Sequence, residues 1–207
     1  MKLIIFGATG SLGRQVTEQA LAEGHHVTAF ARRPARLKLQ HPRLSRISGD
    51  VLDAGTVASA LDGQDAVLIT LGAGHKGALR APGTRNIVKA MQARGLRRLI
   101  CLSTLGAGDS RPLLTAFWKY LMFGLLLRKA YADHQEQEAI VTASGLDWTL
   151  VRPAAFTDGP ATGTYRHGFP STEKNLKLKI SRADIADFMV RQVTGEAYLL
   201  GTPALSY

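Results

Sequence analysis

Gly7, Gly10 and Gly13 are the residues whose spacing carries the most chemistry in this 207-residue chain. They lie in Gly7-Ala8-Thr9-Gly10-Ser11-Leu12-Gly13, after the apolar run Leu3-Ile4-Ile5-Phe6 and before the helical stretch that begins Arg14-Gln15-Val16. Strand, glycine turn and helix in that order make a dinucleotide cradle. One glycine permits the tight turn, another lets a pyrophosphate reach the backbone, and the third lets helix and strand pack closely. The phosphates then meet free N–H groups at the positive end of the helix dipole. Thr9, Ser11 and Leu12 belong to the same expected contact set.

The second strand indicates which dinucleotide. An acidic residue at its end holds the ribose 2′-hydroxyl of NAD. Here Val27-Thr28-Ala29-Phe30-Ala31 runs instead into Arg32-Arg33-Pro34-Ala35-Arg36. Guanidinium groups bind a 2′-phosphate through paired, charge-assisted hydrogen bonds, so the expected cofactor is NADP(H). Arg32 is the leading contact, with Arg33 and Arg36 as further candidates. Gly49-Asp50-Val51 follows the third strand, where an adenine would lie. Two uses are open to Asp50: accepting from the exocyclic amine, or capping the next helix. Leu71, Gly72 and Ala73 end the fourth strand, where small residues let a dinucleotide pass close to the backbone.

Other chemistries lack their residues. Alcohol and ketone reduction in short-chain dehydrogenases uses Tyr-x-x-x-Lys, the lysine lowering the tyrosine pKa. The residues four positions beyond Tyr120, Tyr131, Tyr165 and Tyr198 are Gly124, Gln135, Phe169 and Thr202. The histidines and the single cysteine do not fall at zinc spacing, so no metal is expected. Ser103 lacks a Gly-x-Ser-x-Gly setting. His134, beside Asp133 on a predicted helix, is a candidate near the nicotinamide or else a surface or capping group. Arg152, ending the sixth strand, either faces substrate or ties loops together.

Composition narrows the partners. The net charge is +10, yet no Lys/Arg run is interleaved with aromatics, which make up 7% of the chain; nucleic acid is not an expected partner. Cys101, the only cysteine, cannot form an intrachain disulfide and sits in a predicted strand as a small hydrophobe. A reducing, cytoplasmic compartment fits that usage, and a chain opening directly on a strand reads as having no signal peptide. The most apolar stretch, residues 113–127, is interrupted by Lys119 and too short to span a bilayer. It reads as a packed helix, a lid or an oligomer contact, in a monomer or homodimer without stable membrane insertion.

Positioning these residues requires alternating elements. Strands are predicted at residues 2–6, 26–31, 44–48, 66–71, 98–103, 148–152 and 176–180. Helices are predicted at 12–23, 54–61, 83–94, 113–127, 131–144 and 182–194, with Gly24, Gly63, Gly95 and Gly145 just past four of them. The pattern is that of a single α/β Rossmann domain over residues 1–207, a doubly wound parallel sheet with helices on both faces. The aperiodic segment 154–175, rich in Gly, Pro and Thr, follows the sixth strand and is expected to shape the substrate pocket.

Taken together, Gly7-Ala8-Thr9-Gly10-x-x-Gly13, Gly49-Asp50-Val51-Leu52, Gly63-Gln64-Asp65-Ala66-Val67, Arg85-Asn86-Ile87-Val88 and Ser144-Gly145-Leu146-Asp147-Trp148-Thr149-Leu150-Val151-Arg152-Pro153 resemble the atypical short-chain dehydrogenase/reductases with NAD(P)H-binding, NmrA-like domains. Within that group the chain is most similar to the biliverdin IXβ reductase/flavin reductase branch. The resemblance implies an NADPH-dependent oxidoreductase that reduces a small conjugated acceptor: a flavin, a quinone or a linear tetrapyrrole. It places Ser103 near the nicotinamide, orienting carboxamide or substrate or serving the structure. The branch's active-site histidine falls at Ala155, a departure that separates this chain from biliverdin chemistry. His75, Arg152, Ala155 and Phe156 are the expected substrate-side residues. The alternative implied by the same group is a non-catalytic NADP(H)-sensing regulator.

Overall fold

The computed structural model describes residues 1–72 and 78–207. Strand β1 (Lys2–Phe6) shows why its sequence is an unbroken apolar run rather than an alternation. Leu3 and Ile5 join the core under helices α1 (Ser11–Ala22) and α5 (Arg182–Arg191), packing with Val16, Ala20, Ile185 and Phe188. Ile4 and Phe6 join the opposite core, under α2 (Ala54–Ala60), α3 (Arg80–Arg94) and α4 (Arg128–Thr142). A strand covered on both faces must be apolar at every position.

The main sheet has eight strands in the order β3 (Leu44–Ser48), β2 (His26–Ala31), β1, β4 (Ala66–Ile69), β5 (Arg98–Leu102), β6 (Asp147–Pro153), β10 (Ala204–Ser206) and β8 (Arg166–His167). Pairing is parallel from β3 to β10, and β8 is antiparallel to β10. Leu3 sits between Val27 and Ala66 in register. The strand order reverses between β1 and β4, which opens a crevice at the carboxyl ends of the strands. This is the expected Rossmann fold.

Two expected elements fall differently. The strand expected at 176–180 is β9 (Lys179–Ser181), and it pairs with β7 (Ala155–Thr157) in a separate two-stranded sheet. The place beyond β6 goes to β10, set by Ala204 against Arg152 and Leu205 against Pro153. A three-residue strand shows no periodicity, so the sequence carries no signal for it. The helix expected at 113–127 is broken by its own chemistry. Pro112 lies in a 3₁₀ turn over Gly108–Leu113, and a π-helix over Phe117–Leu126 then runs into α4. No residue of that π-helix is buried, so it is neither core nor an ordinary packed helix.

Candidate functional site

The glycine turn is built by exclusion of side chains. Gly7 has φ +90°, and a Cβ there would come within 2.7 Å of the Thr70 carbonyl oxygen. A Cβ on Gly13 would run into the Gly7 carbonyl oxygen and the Thr70 hydroxyl. Thr70 fixes this packing by donating from Oγ1 to the Phe6 carbonyl at 3.0 Å. Helix α1 then starts at Gly10 with no side chain capping it, which leaves first-turn N–H groups facing the crevice for an anion. Thr70 was not visible as a site residue in the sequence, because its role depends on β4 lying beside β1.

A cavity of about 550 Å³ runs along the carboxyl edge of the sheet. Gly7, Thr9, Gly10, Ser11 and Leu12 form its middle, and Gly13 stands directly behind them. Phe30, Arg32, Asp50 and Val51 line one end, beyond β2 and β3. Leu71 and Gly72 line it past β4; Ala73 and His75 lie outside the described residues. Arg33 and Arg36, at and in a 3₁₀ turn over Pro34–Arg36, are exposed and do not line the cavity, which leaves Arg32 as the guanidinium of this cluster that does.

The capping use of Asp50 goes to Asp53 instead. Asp53 Oδ1 accepts from the Gly55 and Thr56 N–H groups at 3.0 and 3.3 Å and starts α2. Asp50 Oδ1 accepts only from Leu52 N–H among the described residues, at 3.0 Å, and its carboxylate stays on the cavity wall.

The other end of the cavity is an inner chamber. Ser103 and Thr104 line it from the end of β5, Ala155 and Phe156 from β7, and Leu178 closes one side. Its roof is the inward face of the π-helix and its flanks: Leu114, Trp118, Phe123 and Leu127. Of the segment 154–175, only its first three residues reach the cavity. The remainder is tied to α5, where Asp184 accepts from Thr162 and Gly163 N–H and Asp187 accepts from the Tyr165 hydroxyl. The segment expected to help form the pocket thus contributes residues 154–156, and the roof comes from residues 114–127.

His134 lines the chamber from α4. Burial, aided by the nearby Arg80 charge, pushes its pKa down to about 3, so the imidazole is neutral at pH 7. Its neighbour Asp133 turns the other way and caps α3, accepting from Leu79, Arg80 and Ala81 N–H at 3.4, 3.1 and 3.0 Å. Burial raises the Asp133 pKa, but these three bonds and Arg80 outweigh it and hold the carboxyl below its usual range. Helix α3 has no cap in its own sequence, so this contact begins the helix at Arg80 rather than at residue 83.

Arg152 does not reach substrate space. It is buried, and its Nε and Nη2 donate to Glu138 at 2.9 and 2.8 Å, while Nη1 bonds Asp109. The fork of the guanidinium is matched to the carboxylate, and the pair locks β6 to α4. Glu138 also accepts from Ser103 Oγ at 2.5 Å. Ser103 therefore spends its one proton on Glu138 and presents lone pairs to the chamber. Glu138 was missed in sequence because nothing local distinguishes a glutamate facing inward from one facing water.

Residues 7–196 match the family described as NAD(P)H-binding. The chain belongs to that family. The glycine cradle and the uncapped start of α1 fit its dinucleotide. Among solved structures, ChuY of Escherichia coli, described as an anaerobillin reductase, is 27% identical with a TM-score of 0.81, over 99% of this chain and 96% of that one. A short-chain dehydrogenase/reductase of Veillonella parvula, solved in complex with NADP, shares the fold at 19% identity and TM-score 0.83, over 100% and 94% of the two chains. An uncharacterized chloroplastic protein of Arabidopsis thaliana is 27% identical over 78% of this chain. The chain spans 61% of that relative's length. These findings agree with the resemblance to atypical short-chain dehydrogenase/reductases.

Proposed function

We propose that this family member is an NADPH-dependent reductase of flat, conjugated acceptors, of the flavin, quinone or linear tetrapyrrole kind. The observation that carries this reading is the inner chamber: it continues from the dinucleotide cradle, has an apolar and aromatic roof in Trp118 and Phe123, and offers Ser103, Thr104 and the neutral His134 as polar groups, beside the Arg80 guanidinium that Asp133 holds. Bound NADPH supplies a hydride equivalent, and the protein's task is to align two planar partners and exclude water.

Arg32 holds the 2′-phosphate, which sets NADPH above NADH. Asp50 faces the adenine. Ser103, its proton committed to Glu138, accepts from an N–H of the carboxamide or of the acceptor. His134 is a neutral hydrogen-bonding wall and gives up no proton as an imidazolium at neutral pH. Acceptors whose reduced forms take protons from water suit such a site, whereas a ketone needs a positioned acid. The similarity to ChuY, described as an anaerobillin reductase, favours the same assignment.

The same shortage of a proton donor is the observation that favours the sensing alternative. Titration calorimetry of the NADP-loaded protein with FMN, a quinone and biliverdin separates the two. A reductase binds at least one of them, and Trp118→Ala weakens that binding while leaving NADP affinity unchanged. A sensor binds none.

A further inference from the structure

We infer that the outer face of the π-helix is a docking surface for an anionic lipid membrane. Five of the ten exposed large apolar side chains among the described residues lie on this one ten-residue element: Phe117, Tyr120, Leu121, Leu125 and Leu126. Their exposure is large, from 43% at Leu121 to 71% at Tyr120. An apolar patch this concentrated is costly to leave in water.

Charge identifies the occupant. Between Asp109 and Asp133 there is no acidic residue, while Arg111, Lys119, Arg128 and Lys129 flank or punctuate the apolar face. A second copy of this chain docked by a two-fold axis would set these cations against their own counterparts with no acid from the segment to offset them. An anionic surface gains from each of them, by about 1 kcal/mol per cation close to the lipid, which is about fivefold in affinity. The element lies on the membrane rather than through it: among the described residues no helix is long and apolar enough to cross a bilayer. Because the opposite face of the same element roofs the inner chamber, docking would present that chamber to apolar acceptors dissolved in the lipid. This second step rests on the reductase reading; the docking does not.

Co-sedimentation with vesicles tests it, using phosphatidylcholine alone and phosphatidylcholine mixed with phosphatidylglycerol. The full chain is expected to pellet with the anionic vesicles and not with the neutral ones. Leu125→Asp/Leu126→Asp should weaken that binding by at least about tenfold, from the lost apolar burial. Arg128→Glu/Lys129→Glu should weaken it by about tenfold or more, from the lost charge. None of these four residues lines the cavity, so unchanged NADP affinity reports an intact fold. Equal binding to neutral vesicles, or anionic binding untouched by the leucine variant, overturns the proposal; so does concentration-dependent dimerisation that the leucine variant abolishes in place of vesicle binding. Oxidation of NADPH by a water-soluble quinone that anionic vesicles carrying a long-chain quinone do not improve would overturn the delivery step and leave the reductase standing. Vesicle binding without turnover on any flavin, quinone or linear tetrapyrrole would overturn the reductase reading, and the delivery step with it, and leave the docking standing.

Discussion

Ser103 Oγ lies 2.5 Å from Glu138 Oε1, across the seam between β5 and α4. The same carboxylate receives both arms of the Arg152 fork, so one buried anion joins the chamber wall to two elements of the sheet and helix layer. Removing one partner of a buried pair leaves an uncompensated charge. Glu138→Gln is expected to destabilise the fold by about 3–5 kcal/mol in urea denaturation. The double replacement Glu138→Leu/Arg152→Met should recover most of that loss, because it removes both charges. Equal losses in the single and double variants would show that the pair is not what holds this seam.

If Arg32 holds the 2′-phosphate as proposed, Arg32→Ala removes charge-assisted bonds worth about 1.5–3 kcal/mol, and NADPH affinity should fall by roughly 10- to 150-fold. NADH affinity should change by less than about threefold, since nothing on its ribose needs the guanidinium. Arg33→Ala and Arg36→Ala are expected to alter neither, because both side chains stand outside the cavity.

Gly13→Ala tests the turn. The added methyl meets the Gly7 carbonyl oxygen and the Thr70 hydroxyl, so the backbone must shift away from the phosphate position. Overpacking of this kind costs about 1–3 kcal/mol of stability. Calorimetry should show NADP affinity reduced along with the thermal midpoint.

His134 makes stability sensitive to acid. In the unfolded chain its ring takes a proton below about 6.5, whereas in the folded protein it does so only near 3. Between those values the unfolded state binds more protons, so stability falls as the pH drops. The ring's share of that loss is about 2 kcal/mol on going from pH 6.5 to about pH 5. His134→Leu should flatten the dependence over this window and leave stability near pH 7.5 almost unchanged. An identical slope in the variant would mean that other groups carry it.

The first six strands and the cradle were legible because their signals are local. Leu3-Ile4-Ile5-Phe6 followed by three spaced glycines specifies strand, turn and helix without reference to distant residues, and Gly24, Gly63, Gly95 and Gly145 end their helices at positive φ as expected. The chamber was less legible because its parts are brought together by topology. Thr70 and Asp133 act on residues more than 50 positions away, Glu138 on Ser103 and Arg152 in other elements, and their types are ordinary for their segments. The roof was misread as a regular helix for a related reason: apolar residues at nearly every position carry no period, so the sequence could not reveal a wound, half-exposed π-helix.

The most direct measurement is steady-state oxidation of NADPH with FMN, riboflavin, a quinone and biliverdin supplied separately, with Arg32→Ala as control. The proposed function predicts turnover with at least one flat acceptor, biliverdin least favoured because Ala155 stands where that branch has its histidine, and a raised KM for NADPH in the variant. Tight NADPH binding with no turnover on any acceptor would contradict it and leave NADP(H) sensing as the function.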